Sequence, residues 1–237
     1  MSEAEDNADR SDETKTRILD ATERLMVHYG YDKTTIADIA REAGISKSTL
    51  YLRWKKKDDL ISAVFWRATR RFVDNWFEIV ETDPDGGTYS GMFRSVMLAL
   101  ADDSVMTALF IDNQQILGSF ATRPEMMQLF VQRSQMDMEF MKRLQDAGVL
   151  RKDLKLEATA YLLTSMRYGI ARLSQMAPDI KPLPIEDLME VMSDMIARYV
   201  EPDGGGNSEA GKAVLRDIKM QYMRMIESME QQFPNMF

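Results

Sequence analysis

The sequence contains no cysteine, a single histidine and no long run of apolar residues. The absence of cysteine excludes disulfides, thiolate metal sites and cysteine nucleophiles. The one histidine, His28, cannot form a two-histidine metal site, and nothing nearby signals the partner that a general base needs. No apolar run approaches the roughly 20 residues that span a bilayer, and the N-terminus lacks the apolar stretch of a signal peptide. We therefore expect a cytoplasmic protein with no metal, no cofactor and no membrane partner.

Charge is distributed unevenly along the 237 residues, although the net charge of −8 at first argues against a nucleic-acid partner. Residues 1–13 carry a net charge of −5, residues 14–60 carry +3, and residues 61–237 carry −6. A short basic module therefore lies between an acidic arm and an acidic body. Such a local excess of positive charge indicates more about the partner than the total does.

Hydrophobic periodicity predicts an all-α fold. From Glu13 onward, apolar residues recur at spacings of three and four, and no alternating strand pattern competes. The hydrophobic content of 45% is enough to bury a sizeable core. Composition shifts and helix breakers predict a disordered acidic arm at 1–13, a three-helix module at 14–60, a larger helical domain at 61–202, and a linker with an extra amphipathic helix at 203–237.

The window that starts at Ile36 has the spacing of a helix-turn-helix. Counted from this residue, Ala40 falls fifth and Gly44 falls ninth. The alanine allows two helices to cross closely, and the glycine can adopt the backbone angles of a tight turn. Ile45 and Leu50, at the tenth and fifteenth positions, would pack the second helix of the motif onto the first.

The second helix of this motif would begin after Ser46, which is both its capping residue and a predicted DNA contact, and it would expose a polar face. That face consists of Lys47, Ser48, Thr49, Tyr51 and Arg53, and it is followed by Lys55, Lys56 and Lys57. A helix in the major groove needs short hydroxyl groups and a lysine for base edges, and longer side chains for phosphates. Helix pairs with a glycine turn also occur in proteins that never bind DNA, and consecutive lysines are often an ordinary solvated surface. The combination of both features in a positively charged module favours DNA binding.

The segment from about Thr16 to Val64 resembles the N-terminal domain of tetracycline-repressor (TetR) family transcriptional regulators. The matching features, in order, are Tyr29-Gly30, Thr34-Thr35-Ile36, Ile39-Ala40, Ala43-Gly44-Ile45-Ser46, Thr49-Leu50-Tyr51, Trp54, and Lys57 followed by two acids and Leu60. The resemblance covers about a fifth of the chain. Beyond this segment, the chain matches the family only in being helical and of suitable length.

The resemblance implies roles for individual residues of the module. Phosphate contacts are implied for Thr34, Thr35, Tyr51 and Lys57. Contacts with base edges and the adjacent DNA backbone are implied for Lys47, Ser48 and Thr49, and Trp54 would be a core residue. The chain departs from the family pattern at Ser48, where glycine, proline or alanine is frequent, and at Lys56, where a small polar residue is usual. Both departures could alter the preferred operator sequence.

For the rest of the chain, the resemblance implies a helical ligand-binding and dimerisation domain. A homodimer would place two helix-turn-helix modules on a palindromic operator in double-stranded DNA. Family members usually dimerise through two late helices, so we expect the interface at about 155–176 and 185–200. One face of the first of these helices is the series Leu156, Ala160, Leu163, Arg167 and Ile170. A small-molecule effector would weaken DNA binding, which predicts a repressor, although the sequence alone does not separate repression from activation.

Methionine is unusually frequent, and 18 of the 20 methionines follow residue 90. Methionine side chains line adaptable apolar pockets, but they also fill irregular gaps in cores. A pocket for a hydrophobic effector would draw on Met92, Phe93, Met97, Phe110, Gln114, Phe130, Met138 and Tyr168. For any single one of these residues, core or interface packing is the favoured interpretation.

The sequence shows no catalytic constellation, so we do not expect an enzyme. Two alternatives stay open: a helical adaptor that uses the helix-turn-helix to bind protein, and an enzyme that depends on His28. The amphipathic stripe at 212–233 predicts a further helix, which would dock either on its own chain or on the partner subunit.

Overall fold

The computed structural model describes residues 3–101, 103–110, 113–123, 136–176 and 184–232. Every regular element in these ranges is helical, which confirms the all-α prediction. The α-helices are α1 (Glu3–Tyr29), α2 (Ile36–Glu42), α3 (Lys47–Arg53), α4 (Lys57–Thr82), α5 (Tyr89–Ala101), α6 (Ser104–Phe110), α7 (Gln114–Leu117), α8 (136–146), α9 (Leu156–Met176), α10 (Ile185–Val200) and α11 (Ser208–Gln232). A 3₁₀ turn, Gly118–Phe120, follows α7. No helix in the described ranges combines the length and apolar content of a membrane span.

The first helix is longer than the sequence indicates. It begins at Glu3, so the prediction of a disordered arm at 1–13 is wrong for residues 3–13, which are helical. Buried residues such as Ile18 and Met26 anchor the C-terminal half of the helix. Extending an existing helix needs no new nucleation, and acidic side chains near a helix N-terminus interact favourably with the helix dipole.

The predicted helix-turn-helix is present, and its two helices begin at the expected capping residues. The Thr35 hydroxyl accepts a hydrogen bond from the Asp38 N–H at 3.2 Å. The Ser46 hydroxyl accepts one from the Thr49 N–H at 3.1 Å. Between the helices, Gly44 has a φ of +65°, a left-handed conformation that favours glycine.

The interior of the helix-turn-helix module is apolar, as the spacing predicts. Ala40, Leu50 and Trp54 are buried, as are Ile18 and Met26 of α1. Burying a leucine side chain stabilises a fold by roughly 1.5–3 kcal/mol. Leu50 thereby fixes one face of α3 in the core and leaves the opposite face to solvent.

The chain divides into two compact units. The first unit comprises the described parts of Met1–Arg70, Ser104–Arg123 and Ile226–Phe237, and the second comprises those of Arg71–Asp103 and Pro124–Met225. The first unit therefore includes residues 104–123, which the sequence interpretation placed in a larger domain at 61–202. These residues join the module through contacts such as the hydrogen bond from the Tyr31 N–H to the Ile116 carbonyl oxygen, at 2.8 Å.

The second unit has its own hydrophobic core. Its buried members are Val73, Phe77, Val80, Met92, Met141, Leu144, Val149, Leu150, Ile196, Val200 and Leu215. Leu156, Ala160 and Leu163 of α9 pack against this core. These three members of the series that the sequence picks out on α9 therefore pack within the subunit.

The first half of the last helix, α11, packs on its own chain. The sequence left open whether this helix docks on its own chain or on the partner subunit. Leu215 is buried in the core of the second unit. The Arg216 guanidinium donates to both carboxylate oxygens of Glu81, at 2.7 and 2.6 Å. The Lys219 ammonium lies 3.0 Å from a carboxylate oxygen of Asp74. These contacts fix the helix against α4.

Candidate nucleic-acid interface

The third helix presents a polar surface from its first residue onward. Lys47, Ser48 and Tyr51 are exposed, and Thr49 is partly buried. Leu50, on the opposite side, is fully buried. Residues four apart share a helix face, so Lys47 and Tyr51 lie one above the other. The helix is therefore held by one face and offers the other to a partner.

Hydroxyl groups cluster at the start of α3. The Ser46 Oγ lies 2.7 Å from the Ser48 Oγ and 2.8 Å from the Thr49 Oγ1. A hydroxyl group can both donate and accept a hydrogen bond. The structure thus brings together the hydroxyl groups of three predicted DNA-contacting residues. These hydroxyl groups can form hydrogen bonds with either a base edge or a phosphate oxygen.

The basic residues at the end of α3 lie in different environments. Lys55 and Lys56 are exposed. Arg53 is partly buried, and its Nη2 donates to the Ser11 carbonyl oxygen at 2.6 Å and to the Ser11 hydroxyl. The N-terminal part of α1 therefore accepts hydrogen bonds from Arg53. Both contacts with Ser11 use Nη2, which is one of the three nitrogens of a group with five N–H donors.

The side chain of Lys57 is engaged within the first unit. Its ammonium donates to the Tyr31 carbonyl oxygen at 2.5 Å and lies 3.9 Å from the centroid of the Tyr31 ring. Burial lowers the pKa of Lys57, against the opposing effect of Asp32 and Asp58. The phosphate contact implied for Lys57 stays a prediction, because an ammonium has three N–H donors and the hydrogen bond to Tyr31 uses one of them.

The two threonines before α2 differ in their exposure. Thr34 is only 2% exposed, and its hydroxyl donates to the Gly30 carbonyl oxygen at 2.8 Å. A phosphate contact by the Thr34 side chain does not fit this conformation, because the hydroxyl lies inside the fold. Thr35 is exposed, and its hydroxyl donates to the Asp38 carboxylate at 2.6 Å. Thr35 therefore stays a predicted DNA contact.

A polar network around Tyr31 is a feature that sequence reasoning missed. The Tyr31 hydroxyl donates to Asp58 at 2.5 Å and accepts from Arg123 at 2.8 Å, and Arg123 also pairs with Asp58. Burial, followed by the hydrogen bond to Asp58, raises the pKa of Tyr31 to about 12. Burial alone would raise the pKa of Asp58, but the hydrogen bonds from Tyr31 and Arg123 lower it overall. The network fixes the start of α4 beside the helix-turn-helix.

A second polar link involves Asp32. Its carboxylate accepts hydrogen bonds from the Ser119 N–H at 3.1 Å and from the Ser119 hydroxyl at 2.5 Å. These hydrogen bonds lower the pKa of Asp32. The two partners are 87 positions apart in the sequence, so no local pattern could have indicated the contact.

The helix-turn-helix module is similar to known regulatory proteins. The family model for bacterial regulatory proteins of the tetR family matches residues 18–64. An uncharacterised HTH-type transcriptional regulator of Mycobacterium tuberculosis is 43% identical over 105 residues, which cover 43% of this chain and 52% of that protein. Residues 18–64 are therefore similar to regulatory proteins of the tetR family. The chain spans about half the length of that curated relative.

Solved structures of transcriptional regulators share the fold of this chain. A TetR family transcription regulator from Marinobacter aquaeolei VT8 has a TM-score of 0.55 at 17% identity and covers 81% of this chain and 98% of its own. The transcriptional regulator FadR from Bacillus subtilis, in complex with stearoyl-CoA, has a TM-score of 0.57 at 16% identity. The match covers 76% of this chain and 96% of the FadR chain. At these identities the similarity concerns the fold alone, and it extends beyond the helix-turn-helix.

The predicted effector residues do not all fall in one unit. The second unit holds Met92, Phe93, Met97 and Met138. The first unit holds Phe110 and Gln114. Phe130 lies outside the described residues, and Tyr168 lies in α9, where the structure describes the helix but not this side chain. All eight residues stay predicted candidates for an effector site, and Met92 is buried in the core of the second unit.

Proposed function

We propose that this chain is a TetR-family, sequence-specific DNA-binding transcriptional regulator, acting as a homodimeric repressor on a palindromic operator and released by a small hydrophobic effector. The observation that carries the proposal is the exposed polar surface of α3. Lys47, Ser48 and Tyr51 are exposed on a helix that Leu50 anchors from the other side. A helix held in this way can enter the major groove of DNA, which is about 12 Å wide.

Local charge supports DNA as the partner of this surface. Residues 14–60 carry a net charge of +3 within a chain of net charge −8. Lys47, Lys55 and Lys56 are all exposed in this module. Phosphate contacts supply most of the affinity for DNA, and contacts with base edges supply the specificity. The module offers groups for both kinds of contact on α3 and directly after it.

The apolar surface of the second unit supports a homodimer. On α10, Val191, Met195 and Tyr199 are exposed and follow one another at spacings of four. On α9, Tyr161 and Leu173 are also exposed. A contiguous apolar stripe on the surface of a helix marks an interaction site. A two-fold dimer would present two α3 helices to two half-sites, as a palindromic operator requires.

The effector part of the proposal rests on the apolar character of the second unit and on its methionines. FadR from Bacillus subtilis, which shares the fold, is in complex with stearoyl-CoA, and this ligand supports a hydrophobic class of effector. Effector and operator would bind distinct sites of one two-state molecule. Each would then weaken the binding of the other by the same factor.

Substitutions on α3 test the DNA-binding surface. We expect duplexes recovered by selection from random DNA to bind the unaltered chain specifically. Tyr51→Phe removes one hydroxyl that can bond a phosphate, so we expect affinity for every sequence to fall about fivefold, or about 1 kcal/mol. Lys47→Ala removes a group that reaches base edges, so we expect the preferred sequence to change. Fluorescence anisotropy with the selected duplex and its single-base variants measures both effects.

Two exposed residues outside α2 and α3 provide matched controls. Tyr29→Phe and Lys152→Ala make the same chemical changes on other surfaces and should leave affinity and preference unchanged. Recovery of no duplex at low salt would favour the adaptor, in which the helix-turn-helix binds protein. A Lys47→Ala chain with unaltered sequence preference would reject the base-reading role of that residue.

A further inference from the structure

The third helix carries a second leucine, and this one is exposed. Leu52 has 77% of its surface accessible, whereas Leu50 is fully buried. Two positions along an α-helix correspond to a rotation of about 200°, so the two side chains point in nearly opposite directions. One leucine holds α3 in the fold, and the other lies at the centre of the surface that faces away from it.

The neighbours of Leu52 are polar. Ser48 precedes it by four residues and lies one turn earlier on the same face of α3. Tyr51 and Lys47 form the adjacent row, and all three of these polar side chains are exposed. Leu52 is therefore an apolar group inside the surface proposed to face DNA, not a residue at its edge.

Charge around Leu52 indicates which partner would cover it. Lys47, Lys55 and Lys56 are exposed on or directly after the same helix. An apolar protein surface would have to desolvate these ammonium groups, whereas a nucleic acid would pair them with phosphates. In the major groove, the apolar group that a base pair presents is the 5-methyl group of thymine.

We infer that Leu52 reads the operator by packing on the methyl group of a thymine, and that it thereby sets part of the sequence specificity. The inference rests on the proposed DNA-binding function and adds an apolar contact to the polar contacts of α3. Burying one methyl group contributes about 0.8 kcal/mol, which corresponds to about a fourfold difference in affinity. Leu52 would then discriminate a thymine from an otherwise identical base without the methyl group.

The experiment replaces each thymine of a selected duplex in turn by deoxyuridine, which lacks only the methyl group. We expect the unaltered chain to lose about fourfold in affinity at one or more of these positions. At that position, the Leu52→Ala chain should bind the thymine and deoxyuridine duplexes equally. Circular dichroism of the variant checks that the exposed substitution leaves the fold intact.

Leu98→Ala is the matched control, because Leu98 is an exposed leucine in α5 of the second unit. This variant should keep the thymine preference of the unaltered chain. The inference is overturned if no thymine replacement weakens the unaltered chain, or if Leu52→Ala keeps the whole preference. In either case the chain would still select a duplex, whereas failure to select any duplex would overturn the proposed function as well.

Discussion

We expect the unaltered chain to sediment as a dimer at micromolar concentrations and a chain that carries both Tyr161→Arg and Val191→Arg to sediment as a monomer. Tyr161 on α9 is 78% exposed and Val191 on α10 is 59% exposed in the subunit. If these side chains are anchors of the subunit interface, each contributes about 2 kcal/mol to association. Their combined loss would raise the dimer Kd roughly a thousandfold.

Sedimentation velocity over a range of concentrations measures this effect. Leu98→Arg places the same charge on an exposed leucine of α5, outside α9 and α10, and should leave the dimer intact. The double variant should also lose most of its affinity for a palindromic duplex, because one module then holds each half-site alone. A double variant that still sediments as a dimer would show that the interface lies elsewhere.

The second large effect is expected from Gly211→Val, which should destabilise the second unit by about 3 kcal/mol. α11 crosses the loop before α5 at a point where two glycines meet. A Cβ on Gly211 would lie 1.8 Å from the Gly87 carbonyl oxygen, and a Cβ on Gly87 would lie 1.8 Å from the Ser208 carbonyl oxygen. These neighbours are backbone atoms and cannot move aside as a side chain would. The helix must therefore shift, which withdraws Leu215 from the core.

Ala213→Val is the matched control for this prediction. Residue 213 lies in the same helix but is exposed, so its extra methyl groups meet solvent. Surface substitutions of this kind usually change the free energy of unfolding by less than about 0.5 kcal/mol. Urea unfolding followed by circular dichroism separates the two variants, and limited proteolysis would show whether α11 detaches. Equal stability of the two variants would contradict the close approach of α11 to the loop at Gly87.

The helix-turn-helix could be predicted from the sequence because its determinants are local. The caps Thr35 and Ser46, the turn residue Gly44 and the buried Leu50 lie within 16 positions of one another. Each acts on a neighbouring turn of backbone, so spacing alone specifies the arrangement. The polar face of α3 follows from that spacing, since a helix that buries one side must expose the other.

Contacts between distant segments could not be predicted in this way. Asp58 has the pattern of a helix start, and its partners Tyr31 and Arg123 lie 27 and 65 positions away. Gly87 belongs to a breaker sequence, and nothing nearby indicates that its carbonyl oxygen meets α11. The same limitation explains Arg53, whose partner Ser11 was assigned to a disordered arm. In each case the partner is brought near by the fold and not by the local pattern.

The most direct test of the account is the salt dependence of binding to a duplex recovered by selection from random DNA. A dimer that neutralises about six phosphates should lose roughly a thousandfold in affinity between 50 and 200 mM salt, with a linear dependence of log K on log salt concentration. The exposed lysines on and directly after α3 predict this result, because each phosphate that they neutralise releases counterions. An affinity that does not change over this range, or no specific binding at 50 mM salt, would contradict the claim that α3 is a DNA-binding surface.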